Sequence, residues 1–136
     1  MGEVRKGFTN HVCQGKGWHG KLRLYANYQA LNEVTKKDHH LLPLISDALD
    51  RLGGAKYFTK LDIKDAYYNI RIKEGDEWKT TFSTKLGTYK YLVMPFELWN
   101  APAAFQRSIN EVLMKHLDMC CIAYLNNVLI YSNTLQ

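Results

Sequence analysis

The chain is poor in the residues that build special architectures: its 136 residues include three cysteines, three prolines and no apolar run of membrane length. Three cysteines, with Cys120 and Cys121 adjacent, make no disulfide framework and read as small apolar fillers of a reduced protein. His11, Cys13 and His19 match no common zinc spacing and lack a fourth ligand. Without ~18 consecutive apolar residues there is no candidate membrane span, and the first seven residues have no signal-peptide core. An intracellular protein with no membrane partner is expected, in cytoplasm or nucleus. What remains is globular in composition, 46% hydrophobic and 23% charged, enough for one domain. The net charge of +5 suits a polyanionic partner without demanding one.

Taken in order, residues 1–20 are rich in glycine and lysine and read as a loop. Residues 22–26 alternate weakly and form a candidate strand, with Arg23 and Tyr25 on one face; 27–42 read as irregular. Residues 43–52 predict a helix with proline in its first turn, a core stripe of Leu44, Ile45, Ala48, Leu49 and Leu52, and Gly53-Gly54 at its end. Strands are expected at 57–63, 68–73, 79–84 and 89–93, broken by turn residues around Gly75 and Gly87. A second helix follows Asn100, its candidate cap, with Phe105, Ile109, Val112, Leu113 and His116 on the apolar face. Finally, two β-type runs, 119–125 and 128–131, flank Asn126-Asn127 and predict a tight hairpin. The order β-β-β-β-α-β-β is that of an α+β fold, an antiparallel sheet backed by helices.

Taken alone, Asn126-Asn127 is a plain turn and Asp62 a polar strand end. Their surroundings change that reading. The stretches KYFTKLDIKDAYYNIRIKEGDEWKTTFSTKLGTYKYLVMPF, NAPAAFQ and YLNNVLIYS resemble the palm and fingers of reverse transcriptases from gypsy-type long-terminal-repeat retrotransposons, with a match from about residue 21 to 132. The resemblance implies a palm-like antiparallel sheet with part of the fingers and no thumb. Residues of about 1–36 and 71–95 would be fingers-like, and 37–70 and 96–136 palm-like, in a single truncated domain. It also implies an RNA-directed DNA polymerase, a nucleotidyltransferase acting on an RNA or DNA template-primer with Mg²⁺.

In that family one aspartate on a strand and two in the hairpin hold two Mg²⁺ ions, about 3.5–4 Å apart in two-metal sites. Asp62 matches the first, while Asn126 and Asn127 stand where the other two aspartates belong. Only Asp62 remains as a charged metal ligand, so the metal site is incomplete. An amide keeps the shape and one carbonyl but no charge, whereas Mg²⁺ prefers charged oxygens. Losing one placed electrostatic group commonly costs roughly 10²–10³ in rate, so an inactive or nearly inactive domain with weak or absent Mg²⁺ binding is expected. The alternative is a non-catalytic module that keeps the fold to bind nucleic acid or protein.

Other roles carry over by position. Arg23 with Lys16 or Lys21 resembles the basic contacts to the incoming triphosphate, the plain alternative being a solvated basic loop. Asp65, Ala66 and Tyr67 match the segment under the nucleotide, Tyr67 being otherwise an ordinary core residue, and Phe96 belongs to the same nucleotide-binding set. Met94-Pro-Phe96 and the segment 101–106 match the template-side wall and the helix behind it.

The departures extend beyond the hairpin. Relative to the family pattern, aspartate has become asparagine at 27, 126 and 127, and arginine has become glutamine at 29 and histidine at 39. Proline has become leucine at 41, glutamate lysine at 90 and glycine glutamate at 97. Each is one G-to-A or C-to-T change. Trp99 for threonine and His40 for tyrosine do not fit that pattern.

Overall fold

The computed structural model describes residues 10–16, 22–39 and 42–134, with backbone alone for 10–16, 22–25 and 45. The chain divides into two units. The first takes the described residues up to 37 together with 67–101; the second takes 38–66 and the chain from 102 onward.

The first unit holds a four-stranded sheet in the order β2-β1-β4-β5. Its strands are β1 (Asn10–Lys16), β2 (Leu22–Ala26), β4 (Phe82–Thr84) and β5 (Gly87–Tyr89). β1 lies in the stretch expected to be a loop, while β2 falls where a strand was expected. β1 runs antiparallel to β2 but parallel to β4, so the sheet is mixed rather than wholly antiparallel. Helix α1 (Gln29–Val34) occupies part of the stretch read as irregular. It is short, with Leu31 its one buried residue among those described, so it leaves no periodic stripe to read. Leu31 joins Ala26, Tyr28 and Phe82 in the core of this unit, with Tyr91 and Leu98 packed against them. Tyr28 is 1% exposed and its hydroxyl donates to the Thr80 carbonyl at 3.2 Å. Burial first, then the Tyr91 and Tyr68 phenols, push its titration far above the ordinary tyrosine range.

Of the expected strands, 68–73 and 89–93 are largely absent, while 79–84 keeps its second half as β4. The backbone instead winds 3-10 turns at Ala66–Asn69 and Glu77–Thr80. The second is held by the Thr80 hydroxyl, which lies 2.8 Å from the Glu77 carbonyl and 3.2 Å from that of Tyr91. An isolated antiparallel bridge joins Arg71 to Val93, with backbone bonds from Ile72 to Leu92 and from Met94 to Ile70.

The second unit carries an antiparallel three-stranded sheet in the order β3-β7-β6. Its strands are β3 (Tyr57–Asp62), β6 (Cys121–Tyr124) and β7 (Asn127–Ser132). Cys121, Ala123 and Val128 form its core with Ile63, Ile109, Leu113 and Leu117. Ile109 and Leu113 come from helix α3 (Ala101–Leu113), whose apolar face covers one side of the sheet. Val112 and His116, expected on that face, are exposed. Helix α2 (Ile45–Arg51) forms where the proline-led helix was expected, yet Leu44 and Leu49 of its stripe are 65% and 62% exposed. Gly54 follows it at φ +100°, a backbone that glycine adopts without strain.

Candidate functional site

β3 and β7 pair along their whole length, and the last partners in register are Asp62 and Asn127. The β6–β7 hairpin closes with Tyr124 opposite Asn127. Its two loop residues are therefore Leu125 and Asn126, one position earlier than the expected Asn126-Asn127. Asn127 is the first residue of β7, and the left-handed backbone that asparagine was expected to supply falls on Leu125, at φ +52°. A positive φ at the first loop position is what this hairpin type requires. A leucine there costs about 1–2 kcal/mol.

The structure brings Asp62, Asn126 and Asn127 together in the second unit. Asn126 Nδ2 donates to Asp62 Oδ1 at 2.9 Å, and Asn127 Nδ2 donates to Asn126 Oδ1 at 3.3 Å. The Ile63 amide donates to the Asn126 carbonyl at 2.7 Å, tying the strand end to the turn a second time. A carboxylate can only accept, so the Asn126 amide must face it with its nitrogen. The three side chains form a chain of neutral donors ending on one negative charge.

This donor set does not suit the pair of Mg²⁺ ions that the family resemblance brings with it. Magnesium wants charged or carbonyl oxygens. Here an N–H points at the lone carboxylate, and the one amide oxygen of Asn126 already accepts from Asn127. Two aspartates in those positions would offer four carboxylate oxygens; two asparagines offer two neutral amide oxygens, and their N–H groups donate within the cluster. No chemical step through a metal follows from this arrangement.

In the first unit, the Tyr67 ring meets Phe96 edge-on at 5.4 Å, and Phe96 meets Tyr68 edge-on at 5.0 Å. Burial raises the Tyr67 hydroxyl above its ordinary range, as expected of a partly packed ring. Ala66 is buried and opens the 3-10 turn on which Tyr67 stands; Asp65, just before it, is exposed at φ +52°. Arg23 and Lys16 lie on the paired strands β2 and β1, where Gly15 faces Arg23 and Lys16 faces Leu22. Their side chains, and the whole of Lys21, lie outside the described residues, as do the side chains of His11 and Cys13 and the whole of His19.

Glu97 stands at φ +75° with its side chain exposed, and its carbonyl accepts from Asn32 Nδ2 at 2.7 Å. A glycine would hold that backbone without strain. Trp99 donates its amide to Asn32 Oδ1 at 2.9 Å, and the Lys37 ammonium lies 4.3 Å from its ring centre. Asn100, expected as a cap, donates through Nδ2 to the Lys36 carbonyl at 2.9 Å. Sequence reasoning did not single out Leu125 or Gln106. Gln106, wholly buried on α3, accepts the Leu125 amide at 2.8 Å. A glutamine set between Ala103 and Ile109 on an apolar helix face was the available signal.

Comparison with known proteins bears on both units. Residues 12–136 match the family described as reverse transcriptase (RNA-dependent DNA polymerase). The chain is 44% identical over 118 residues to an RNA-directed DNA polymerase homolog of Oenothera berteroana, covering 85% of this chain and 83% of that protein. It is 42% identical over 115 residues to the retrovirus-related Pol polyprotein from transposon 297 of Drosophila melanogaster, covering 85% of this chain but 11% of the polyprotein. The chain thus spans about a tenth of that longer relative. Among solved structures, the foamy viral protease-reverse transcriptase dRH in complex with double-stranded DNA superposes with a TM-score of 0.82 at 18% identity, covering 93% of this chain and 22% of that one. Its complex with an RNA/DNA hybrid gives 0.77 at 16% identity, covering 93% and 17%. Identities that low speak for the fold, an α+β reverse-transcriptase fragment. With the family match running over residues 12–136 and a relative shared along most of both lengths, the chain belongs to the reverse transcriptase (RNA-dependent DNA polymerase) family.

Proposed function

We propose that this chain is a reverse-transcriptase fragment that has lost nucleotidyl transfer. In this reading the first unit corresponds to the fingers and the second to the palm, and Asp62, Asn126 and Asn127 stand at the former metal site. The observation that carries it is the 2.9 Å bond from the Asn126 amide to Asp62. A proton donor fills the place where a divalent cation would need a second carboxylate. Catalysis by two metals works by neutralising charge on the attacking and leaving oxygens, and a site with one carboxylate and two amides supplies little of that.

Nucleic-acid contact outlives the chemistry in this proposal. The net charge of +5 supports weak, salt-dependent binding to a template-primer. Tyr67 and Phe96, with Asp65 and Ala66, are the proposed remnants of the nucleotide platform; Lys16, Lys21 and Arg23 are its proposed basic contacts.

The test is primer extension on an RNA template with Mg²⁺ and with Mn²⁺. No incorporation above a heat-killed control is expected. Metal-dependent incorporation well above it would overturn the proposal.

A further inference from the structure

The loop that carries Asn126 contains a residue poorly suited to it. Leu125 is the first of two residues between the paired Tyr124 and Asn127, and its φ is +52°. Side-chain sterics disfavour that conformation for leucine by about tenfold or more in population. Asn126 and Asn127 do not supply the compensation, since their amides engage Asp62 and each other.

The compensation comes from α3. Gln106 is 0% exposed, and its carboxamide is engaged on every side. Oε1 accepts the Leu125 N–H at 2.8 Å, while Nε2 donates to the Ala123 carbonyl at 3.0 Å and to Asn110 Oδ1 at 2.9 Å. One side chain thus grips β6 and the first loop residue. The loop amide is given to a buried acceptor rather than to water, which anchors the peptide plane at the start of the loop to α3.

We propose that Gln106 is the positioning residue of the site. It fixes the end of β6 and the peptide that opens the loop, offsets the strain at Leu125, and so aims position 126 at Asp62, whichever residues fill 126 and 127. Decay of the hairpin aspartates would then leave the loop geometry intact, because that geometry is set from the helix. The hydrogen bonds stand by themselves; only their functional meaning rests on reading Asp62, Asn126 and Asn127 as the site.

Solution NMR of the 136-residue chain tests this through two readouts, exchange of the Leu125 amide and the shift of the Asn126 side-chain amide. Gln106→Met keeps volume but removes all three bonds. Leu125 exchange should rise about tenfold, the effect of one buried hydrogen bond, and the Asn126 amide should move to the position of free asparagine. Gln106→Glu keeps the acceptor and should keep Leu125 protected. Leu125→Gly, added to Gln106→Met, should restore the Asn126 signal, since glycine needs no brace. Uniformly faster exchange along β6 and β7, with the Asn126 amide unmoved, would make Gln106 a mere core residue and overturn the proposal. So would failure of the glycine rescue. Should Gln106→Met not fold, Gln106→Glu decides: loss of Leu125 protection despite the retained acceptor also overturns it. Primer extension by the chain would sink the functional reading and leave these amide readouts untouched.

Discussion

Replacing Asn126 by aspartate exchanges an attraction for a repulsion. The natural amide donates to Asp62 at 2.9 Å; in Asn126→Asp two carboxylate oxygens would meet at about the same separation. Removing the exposed hydrogen bond costs about 0.5–1 kcal/mol, and two like charges roughly 4 Å apart in water repel by about 1 kcal/mol. The sum, about 2 kcal/mol, lowers the melting temperature of a domain this size by roughly 5–8 °C at pH 7. The sign of the pH dependence follows. Pairing two carboxylates raises the folded-state pKa of one of them above its unfolded value. The deficit is therefore small below the ordinary carboxylate range and grows as pH rises through the raised value. A divalent cation should reverse it: Mg²⁺ bound with a Kd on the order of 1 mM adds about 1.4 kcal/mol at 10 mM. Thermal melts of the natural chain and the variant, at pH 4 and 7, with and without Mg²⁺, read all of this. A variant that melts with the natural chain at pH 7, or that ignores the cation, would refute the reasoning.

Three further outcomes are expected. Glu97→Gly removes a side chain from a residue at φ +75°, and after the entropy cost of glycine it should stabilise by about 0.5–1 kcal/mol; a lower melting temperature would mean that the glutamate side chain compensates its backbone. Cys121 is buried, with its thiol pushed up by burial and then by Cys120, which is half-buried. A thiol reagent at pH 8 should modify Cys120 well before Cys121, and mass mapping showing the reverse order would contradict the packing of β6. Set beside an intact relative, the gene should show G-to-A and C-to-T changes in excess at silent as well as coding positions; a balanced spectrum would point instead to selection for a non-catalytic role.

The β6–β7 hairpin and its partner strand were more legible in the sequence than the segments around them. Strand β3 and the hairpin stand within the runs of β-type residues expected to be strands, although β3 is exposed along its whole length. The loop moved by one residue because asparagine is a good turn former wherever it sits. Its position is chosen by a contact 19 residues away, the Leu125 amide on buried Gln106, and no local pattern encodes that. The segment 68–73 has the composition of a strand, yet Tyr67 and Tyr68 turn toward Phe96 and the backbone coils to let them. Helix α1 has one buried residue among those described and so no stripe. The stripe of α2 misled in the opposite sense, since Leu44 and Leu49 remain exposed within the second unit. That asparagines fill positions 126 and 127 was visible at once. That the replacements form a hydrogen-bonded chain ending on Asp62 required the register of β3, β6 and β7.

Manganese binding reports most directly on whether the metal site is gone. Mn²⁺ broadens NMR signals around any carboxylate cluster that holds it, and the amides of Asp62, Ile63 and Asn127 surround this one. Titration of the natural chain should leave those signals sharp at sub-millimolar Mn²⁺, whereas the Asn126→Asp/Asn127→Asp variant should lose them selectively. Selective, saturable broadening around Asp62 in the natural chain would contradict the loss of the site.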